Sequence, residues 1–132
     1  MISKNPIVYD IDGTLTAEPY VEDNVRNLRA NSVMVLTALA LQLERPLLIS
    51  TARPDYLREE TEAWLNSCGL EPKKVYMKEM WMEELPDFQV KEIHLDQIRV
   101  EWGTPVVWVD DNPQNVNMLR NRNVPVIHVT PR

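Results

Sequence analysis

The chain has 132 residues, a length that indicates a single domain over residues 1–132 with a buried core. Its formal net charge is −6, which disfavours non-specific binding to nucleic acid. No segment has the length of an apolar membrane span, and the amino terminus runs into the first predicted strand without room for a secretion signal. The single cysteine, Cys68, has no disulfide partner, which favours a cytoplasmic location.

Strand-like and helix-like segments alternate along the sequence, which is typical of a parallel α/β sheet. The predicted elements are a strand at about 6–10, a helix at 24–43, a strand at 46–51, a helix at 54–68, a short strand at 74–77, a loop through Met80, Trp81 and Met82, a helix at 87–101, a strand at 105–110, a helix at 113–121 and a strand at 125–129. Ligands in such sheets bind outside the carboxyl ends of the strands, near the point where the strand order reverses.

The predicted helix boundaries depend on apolar periodicity and on proline and glycine. Pro54 is favoured in a first helical turn and is expected to open the second helix, which Gly69 stops. The helix at 24–43 has five residues roughly on one face, which we expect to pack on the core: Leu28, Val35, Leu36, Leu39 and Leu43.

The first predicted strand ends in two aspartates. Ile7-Val8-Tyr9 leads into Asp10 and Asp12, whose side chains would point to the same side of a strand. Charges this close repel each other unless a cation or a shared proton offsets them. Gly13 then allows a sharp turn away from the strand. By itself, the segment is equally compatible with a functional site and with a polar turn.

A second apolar strand, Val106 to Val109, also ends in paired carboxylates, Asp110 and Asp111. Acids at two strand ends indicate oxygen donors that converge on one site, and Mg²⁺ is held by a few carboxylates together with water and substrate phosphate. Two histidines and one cysteine are too few for the usual zinc or softer-metal site. The pattern therefore favours Mg²⁺.

A third apolar strand, Leu47 to Ser50, is followed by Thr51 and Arg53. A hydroxyl and a guanidinium at a strand end are both good partners for phosphate oxygens. Thr51 could also cap a helix that begins at Pro54, and the two roles are compatible.

Lys91 lies near the start of the predicted helix at 87–101, four residues after Asp87. The lysine ammonium is a compact point charge that can neutralise a phosphate or a nucleophilic carboxylate. In isolation such a residue is more often solvated at the surface, and only the other three segments favour a place for it in the site.

These four segments together resemble the haloacid dehalogenase (HAD) superfamily of phosphotransferases. The family's motifs are an Asp-x-Asp-Gly-Thr sequence, a Ser or Thr that closes an apolar strand, a Lys near a helix start and an acidic pair after a strand. They are matched, in the family's order, by Asp10 to Thr14, Thr51, Lys91, and Asp110 with Asp111. The resemblance implies a HAD-like Rossmannoid three-layer sandwich with a mainly parallel five-stranded sheet.

A closer resemblance is to the phosphatase domain of the bacteriophage-type polynucleotide kinase-phosphatases. The similar segments are Tyr-Asp-Ile-Asp-Gly-Thr-Leu-Thr from Tyr9, Ser-Thr-Ala-Arg up to Arg53, the spacing from Asp87 to Lys91, and Val109-Asp110-Asp111. The sequence contains no Gly-x-x-x-x-Gly-Lys-Ser/Thr loop, so the ATP-binding kinase half of those enzymes is missing from it.

The resemblance implies a Mg²⁺-dependent phosphomonoesterase, most closely a polynucleotide 3′-phosphatase. Asp10 would be the nucleophile that forms an aspartyl-phosphate, and Asp12 would be the general acid and base. Mg²⁺ would be held by Asp10, the backbone carbonyl of Asp12 and Asp110, with Asp111 either as a further ligand or as a residue that supports the ligands. The other implied site residues are Thr51 and Lys91, which stabilise the transferring phosphoryl group, and Arg53, Thr14 and Asp87, which bind substrate, with Asp87 orienting Lys91 or Arg53.

HAD proteins often carry a cap domain after the first or second motif. Here the segment 16–23 is too short for one, and 51–91 is nearly filled by predicted elements, so we expect no sizeable cap and an open site that suits large substrates such as polynucleotide ends. Trp81, with Met80 and Met82, would pack its loop onto the core or, less favoured, stack a base at the rim of the site.

Other functions stay open from the sequence. A small-molecule or nucleotide phosphatase of the same superfamily is the nearest alternative. A receiver-like signalling domain also uses acids, Mg²⁺ and a lysine, but its acidic pair lies on the first strand. A non-catalytic binding protein is disfavoured because no motif residue is missing. The expected partner is a phosphorylated substrate such as a nucleic-acid 3′ end, and no membrane is expected.

Overall fold

The structure is a computed structural model that describes residues 4–19 and 28–130. The helices and strands, in chain order, are β1 (Ile7–Tyr9), α1 (Ser32–Gln42), β2 (Leu47–Pro54), α2 (Arg58–Ser67), β3 (Lys74–Lys78), α3 (Asp87–Glu101), β4 (Val107–Asp110), α4 (Pro113–Asn121) and β5 (Val126–His128). All five strands belong to one parallel sheet. The predicted α/β fold with a five-stranded sheet is confirmed.

The strand order β3-β2-β1-β4-β5 puts β1 at the centre of the sheet. Tyr9 in β1 pairs with Ile49 in β2 on one side and with Val109 in β4 on the other. The strand order therefore reverses at β1, and the carboxyl ends of β1, β2 and β4 meet at one edge of the sheet. Open parallel sheets bind their ligands at such an edge.

The sheet separates two apolar clusters, which makes the fold a three-layer sandwich. Alternate residues of a strand point to opposite faces, so Tyr9 packs in the cluster that contains Leu65 of α2. Its neighbour Val8 packs in the cluster with Leu95 of α3 and Leu119 of α4. Because both faces of the central strands are covered, β1 and the start of β2 are continuous apolar runs without polar-apolar alternation.

The first helix is shorter than predicted. It begins at Ser32, where the side chain of Asn31 accepts a hydrogen bond from the Met34 amide at 3.3 Å. Residues 28–31 are not helical: the Asn31 amide donates to the Leu15 carbonyl at 2.8 Å, so the backbone has a partner outside any helix. Positions 24–27 of the predicted helix lie outside the described residues.

The core-facing side of α1 was also predicted wrongly in part. Val35 is buried, as expected, but Leu36 and Leu43 are 64% and 84% exposed. Because this helix is apolar nearly all round, its periodicity does not indicate which face meets the sheet.

The second strand runs further than predicted, which excludes the helix-cap role that the sequence allowed for Thr51. β2 continues to Pro54, and α2 begins only at Arg58, after a short 3₁₀ turn. Thr51 therefore caps no helix; its hydroxyl oxygen accepts a hydrogen bond from the Arg53 amide at 3.1 Å. Gly69, at φ +82°, follows the end of α2 as expected.

The segment Met80–Met82 is a short 3₁₀ helix and not a loop. Met82 is buried, whereas Met80 and Trp81 are 83% and 64% exposed. The expectation that this segment packs onto the core is therefore correct for Met82 and wrong for the other two side chains.

The described part of the segment between Thr51 and Lys91 contains no room for a cap domain, because α2, β3 and the turns beside them fill it. The predicted short segment after the first motif lies in part, at residues 20–23, outside the described residues. None of the helices in residues 4–19 and 28–130 combines the length and apolar character needed to cross a bilayer.

Candidate active site

The ammonium group of Lys91 joins the ends of three strands. Its three N–H groups donate to Asp10 Oδ1 at 2.7 Å, to the Ser50 carbonyl at 2.7 Å and to Asp110 Oδ2 at 3.1 Å. Lys91 reaches these groups from α3 and is almost completely buried. Since all three of its N–H groups are used, none is left for Asp87, which the sequence suggested as a residue that orients Lys91.

The buried charges in this group shift each other's pKa values. Burial, followed by repulsion from Asp110, raises the pKa of Asp10 well above its ordinary range, although the attraction of Lys91 opposes the rise. Burial alone would lower the pKa of Lys91, but the two carboxylates outweigh it and raise that pKa. One lysine therefore offsets only part of the negative charge gathered here, and a further cation would stabilise the group.

The turns after β1 and β4 are in direct contact. The Thr14 hydroxyl lies 3.2 Å from Asp10 Oδ2 and 3.2 Å from Asp111 Oδ1. Gly13, at φ +80°, lies against the Asp111 side chain, and a Cβ on residue 13 would be only 2.8 Å from Asp111 Cγ. The first motif thus needs glycine both for its backbone conformation and to admit the Asp111 carboxylate.

Arg53 is buried against Asp12. Its Nε donates to Asp12 Oδ2 at 2.9 Å and its Nη2 to Asp12 Oδ1 at 2.7 Å, while Nη1 donates to Thr61 Oγ1 at 3.1 Å. The bidentate pairing fixes both the position and the plane of the carboxylate. Arg53 was expected to bind substrate; the structure places its side chain beneath Asp12, at the wall of the cavity.

Asn115 is a site residue that sequence reasoning missed. Its Nδ2 lies 3.3 and 3.4 Å from the two carboxylate oxygens of Asp110, whose Oδ1 also accepts the Asn112 amide at 3.0 Å. The Asn115 Oδ1 atom is buried and has no hydrogen-bond partner within the described residues. The sequence does contain a signal for Asn115: it lies in the first turn of the predicted helix that follows the acidic pair.

His94 is a second residue that was missed. Its Nε2 faces the Met77 carbonyl at 2.9 Å, and since a carbonyl only accepts, Nε2 carries the proton. Its Nδ1 then accepts from the Ser50 hydroxyl at 2.7 Å. His94 therefore fixes Ser50, whose carbonyl binds Lys91. Burial lowers the pKa of His94 to about 4, and its position three residues after Lys91, on the same face of α3, was the signal in the sequence.

A cavity of about 390 Å³ lies at the carboxyl edge of the sheet. The predicted site residues that line it are Asp10, Asp12, Arg53, Asp87, Lys91 and Asp111. Thr14, Thr51 and Asp110 are buried behind this surface. Asp87 is exposed at the start of α3.

The acidic residues fit a hard divalent cation. Carboxylate oxygens of Asp10, Asp110 and Asp111 all lie within 4.8 Å of one another. The donors are all oxygen, as Mg²⁺ requires. The Asp12 carboxylate is not part of this group of acids; it accepts hydrogen bonds from Arg53.

A family model described as the polynucleotide kinase PNKP phosphatase domain matches residues 4–132. The chain belongs to this family. It is therefore a phosphatase domain of the HAD superfamily, and the predicted resemblance and enzyme class are confirmed.

Solved structures share the fold of this PNKP-type domain. Chains from two structures of the Pnkp1/Rnl/Hen1 complex, one of them described as an RNA repair complex, give TM-scores of 0.84 and 0.80 at 21% and 20% identity over 96% and 95% of this chain. This chain spans less than half of theirs, 42% and 45%. A predicted HAD-like family hydrolase from Porphyromonas gingivalis gives 0.59 at 12% identity, over 96% of this chain and 91% of its own. No curated protein matches the chain.

Proposed function

We propose that the protein is a Mg²⁺-dependent phosphomonoesterase that removes the 3′-phosphate from a polynucleotide through an aspartyl-phosphate intermediate. One observation carries the proposal: Lys91 is buried between Asp10 and Asp110, while Arg53 holds Asp12 at the wall of the same cavity. A nucleophile, a phosphate-neutralising cation and a fixed acid-base group therefore face one small space.

Asp10 is the proposed nucleophile. Its Oδ1 accepts from Lys91 and its Oδ2 from Thr14, so its carboxylate is oriented before the substrate binds. Attack on phosphorus forms the Asp10–phosphate bond and releases the leaving oxygen. Lys91 favours the ionised form of Asp10 against the effect of burial and, with Thr51, would take up charge on the transferring phosphoryl group.

Asp12 is the proposed general acid and base. Protonated, it would donate its proton to the leaving alkoxide, and as a carboxylate it would then accept a proton from the water that attacks the phosphoenzyme. The bond to Arg53 holds the carboxylate in one orientation for both steps. Arg53 therefore acts by positioning Asp12 in this proposal, in addition to any contact with substrate.

Mg²⁺ would be held by Asp10, Asp110, Asp111 and the backbone carbonyl of Asp12. Bound there, it would supply charge stabilisation for the phosphoryl group. Asn115 and Asn112 orient Asp110 through hydrogen bonds, as groups behind a metal ligand commonly do.

A polynucleotide 3′ end is the proposed substrate, and two findings support it: the family of the chain, and a cavity over which residues 4–19 and 28–130 form no cap domain. Asp87 lines the cavity and is exposed, and in this proposal it contacts the substrate. By analogy with the RNA repair complex that contains its structural neighbour, protein partners in nucleic-acid repair are part of the proposal, as is a cytoplasmic location.

The experiment is a comparison of kcat/KM in Mg²⁺ for an oligonucleotide with a 3′-phosphate, the same oligonucleotide with a 5′-phosphate, a 3′-mononucleotide and sugar phosphates. We expect the 3′-phosphorylated oligonucleotide to be the best substrate. Asp10→Asn should abolish all turnover, and Asp96→Asn, which changes a surface carboxylate paired with Arg122, serves as the matched control. Hydrolysis of the mononucleotide without the oligonucleotide would replace the proposal with a nucleotide phosphatase.

A further inference from the structure

A second cavity, of about 340 Å³, adjoins the catalytic one. Pro54, at the end of β2, and Lys78, at the end of β3, line both cavities. The second cavity is otherwise formed by two short 3₁₀ turns, Asp55–Leu57 and Met80–Met82, with the residues next to them. A ligand whose phosphate occupies the first cavity can therefore extend directly into the second.

Large exposed apolar side chains cluster at this second cavity. Tyr56 and Met80 line it and are 68% and 83% exposed. Trp81 follows Met80 and is also mostly exposed, and its Nε1 donates to Glu79 Oε2 at 2.6 Å, which orients the indole. Single exposed apolar residues need no explanation, but several beside a catalytic cavity indicate a binding surface. A tyrosine ring and a thioether are surfaces on which a flat ring packs well.

The charges of the cavity favour a base over a phosphate backbone. Among the residues that the structure describes, Asp55, Glu79 and Glu83 line it together with one positively charged residue, Lys78. Three carboxylates repel phosphodiesters, whereas carboxylate oxygens accept hydrogen bonds from the amino groups of bases. Lys78 lines both cavities and so lies where they join. The occupant that fits is flat, uncharged and attached to a phosphate.

We propose that this cavity binds the base of the nucleotide that carries the 3′-phosphate, with Tyr56 and Met80 as specificity-determining residues. The inference rests on the proposed polynucleotide 3′-phosphatase function and adds the group that distinguishes a nucleotide end from other phosphate esters. Stacking of a base on an aromatic ring is favourable for every base, so the cavity selects for the presence of a base and only weakly for its identity.

The test compares kcat/KM for two 3′-phosphorylated oligonucleotides that are identical except that the terminal residue carries adenine in one and is abasic in the other. We expect the wild-type protein to prefer the adenine end by roughly tenfold to a hundredfold. Tyr56→Ala should reduce this preference to a few-fold, and Tyr56→Phe, which keeps the ring, should retain it. Leu43→Ala, at an exposed apolar residue directly after α1, is the control, and turnover of phenyl phosphate verifies that each variant is folded.

Each result bears on a different part of the account. Equal hydrolysis of the two oligonucleotides by the wild-type protein would overturn the base-binding cavity and leave the 3′-phosphatase function in place. A preference that survives Tyr56→Ala combined with Met80→Ala would overturn the assignment to these residues. If neither oligonucleotide is hydrolysed while phenyl phosphate is, the proposed function itself fails and the inference fails with it.

Discussion

Arg53 holds Asp12 through both of its carboxylate oxygens, with Nε–Oδ2 and Nη2–Oδ1 distances of 2.9 and 2.7 Å. The arginine side chain is only 1% exposed, and the aspartate 16%. A buried, bidentate pair of this kind fixes an orientation that a single point charge cannot. In the proposed mechanism, the residue that the sequence suggested as a phosphate ligand instead controls the geometry of the acid.

Arg53→Lys keeps the positive charge and removes the bidentate bond. Because alkoxide departure needs an acid, we expect kcat on a 3′-phosphorylated oligonucleotide to fall by about a hundredfold, whereas p-nitrophenyl phosphate, with a good leaving group, should lose less than about tenfold. Arg58→Lys, at a surface arginine paired with Glu62, is the control. Equal losses on the two substrates would show that Arg53 does not act through Asp12.

The acidic cluster predicts a strict metal requirement. Chelation by EDTA should abolish turnover, and added Mg²⁺ should restore it. Asp110→Asn should raise the Mg²⁺ concentration for half-maximal activity at least about tenfold, because a buried carboxylate ligand is lost, and Asn115→Ala should raise it less. Activity that persists in excess chelator would contradict the proposed chemistry.

A comparison of two glycines distinguishes the cost of a left-handed backbone conformation from an effect on the metal site. Gly13 and Gly69 have φ of +80° and +82°, but a Cβ would meet Asp111 at the first and only Leu39, at 3.4 Å, at the second. Alanine at Gly69 should cost about 1–2 kcal/mol of unfolding free energy, and alanine at Gly13 should cost more, because its Cβ would also overlap the Asp111 side chain. Only Gly13→Ala should also weaken Mg²⁺ activation, which a titration of activity measures. An equal effect of both variants on Mg²⁺ activation would contradict this role of Gly13.

His94 predicts a pH dependence of stability. Its pKa is about 4 in the folded protein against an ordinary 6.5, so the unfolded chain binds the proton first as the pH falls. Stability is therefore complete above about pH 6.5 and declines toward pH 4, by about 3 kcal/mol from this residue. Urea unfolding at several pH values should show a shallower decline for His94→Gln. Identical declines in both proteins would refute a buried neutral histidine.

The fold was predictable because its strands carry their signal locally. Val8, Leu48 and Trp108 each lie in short apolar runs that end in polar residues, and a sheet covered on both faces requires such runs. The ends of the helices were harder to predict from the sequence. The start of α1 depends on a hydrogen bond between Asn31 and Leu15, which belong to different segments of the chain, and the exposed face of the helix depends on tertiary packing.

The candidate site was predictable where a residue type and a strand end coincide, as for Asp10 and Asp110. Asn115 and His94 were missed because they act on other site residues through hydrogen bonds, and such bonds follow from helix geometry that the sequence specifies only indirectly. The contact between Arg53 and Asp12 was missed for a similar reason: the two residues follow different strands, and only the sheet brings them together.

The central claim is that Asp10 carries the phosphoryl group. The most direct measurement is acid quenching of Asp12→Asn during turnover of p-nitrophenyl phosphate, followed by peptide mass spectrometry. Asp12→Asn slows hydrolysis of the intermediate, and the good leaving group makes its formation independent of the acid. The account predicts a hydroxylamine-sensitive phosphate on Asp10 that is absent from the Asp10→Asn/Asp12→Asn double variant and from samples with EDTA. A phosphate on another residue, or turnover by Asp10→Asn at the wild-type rate, would contradict it.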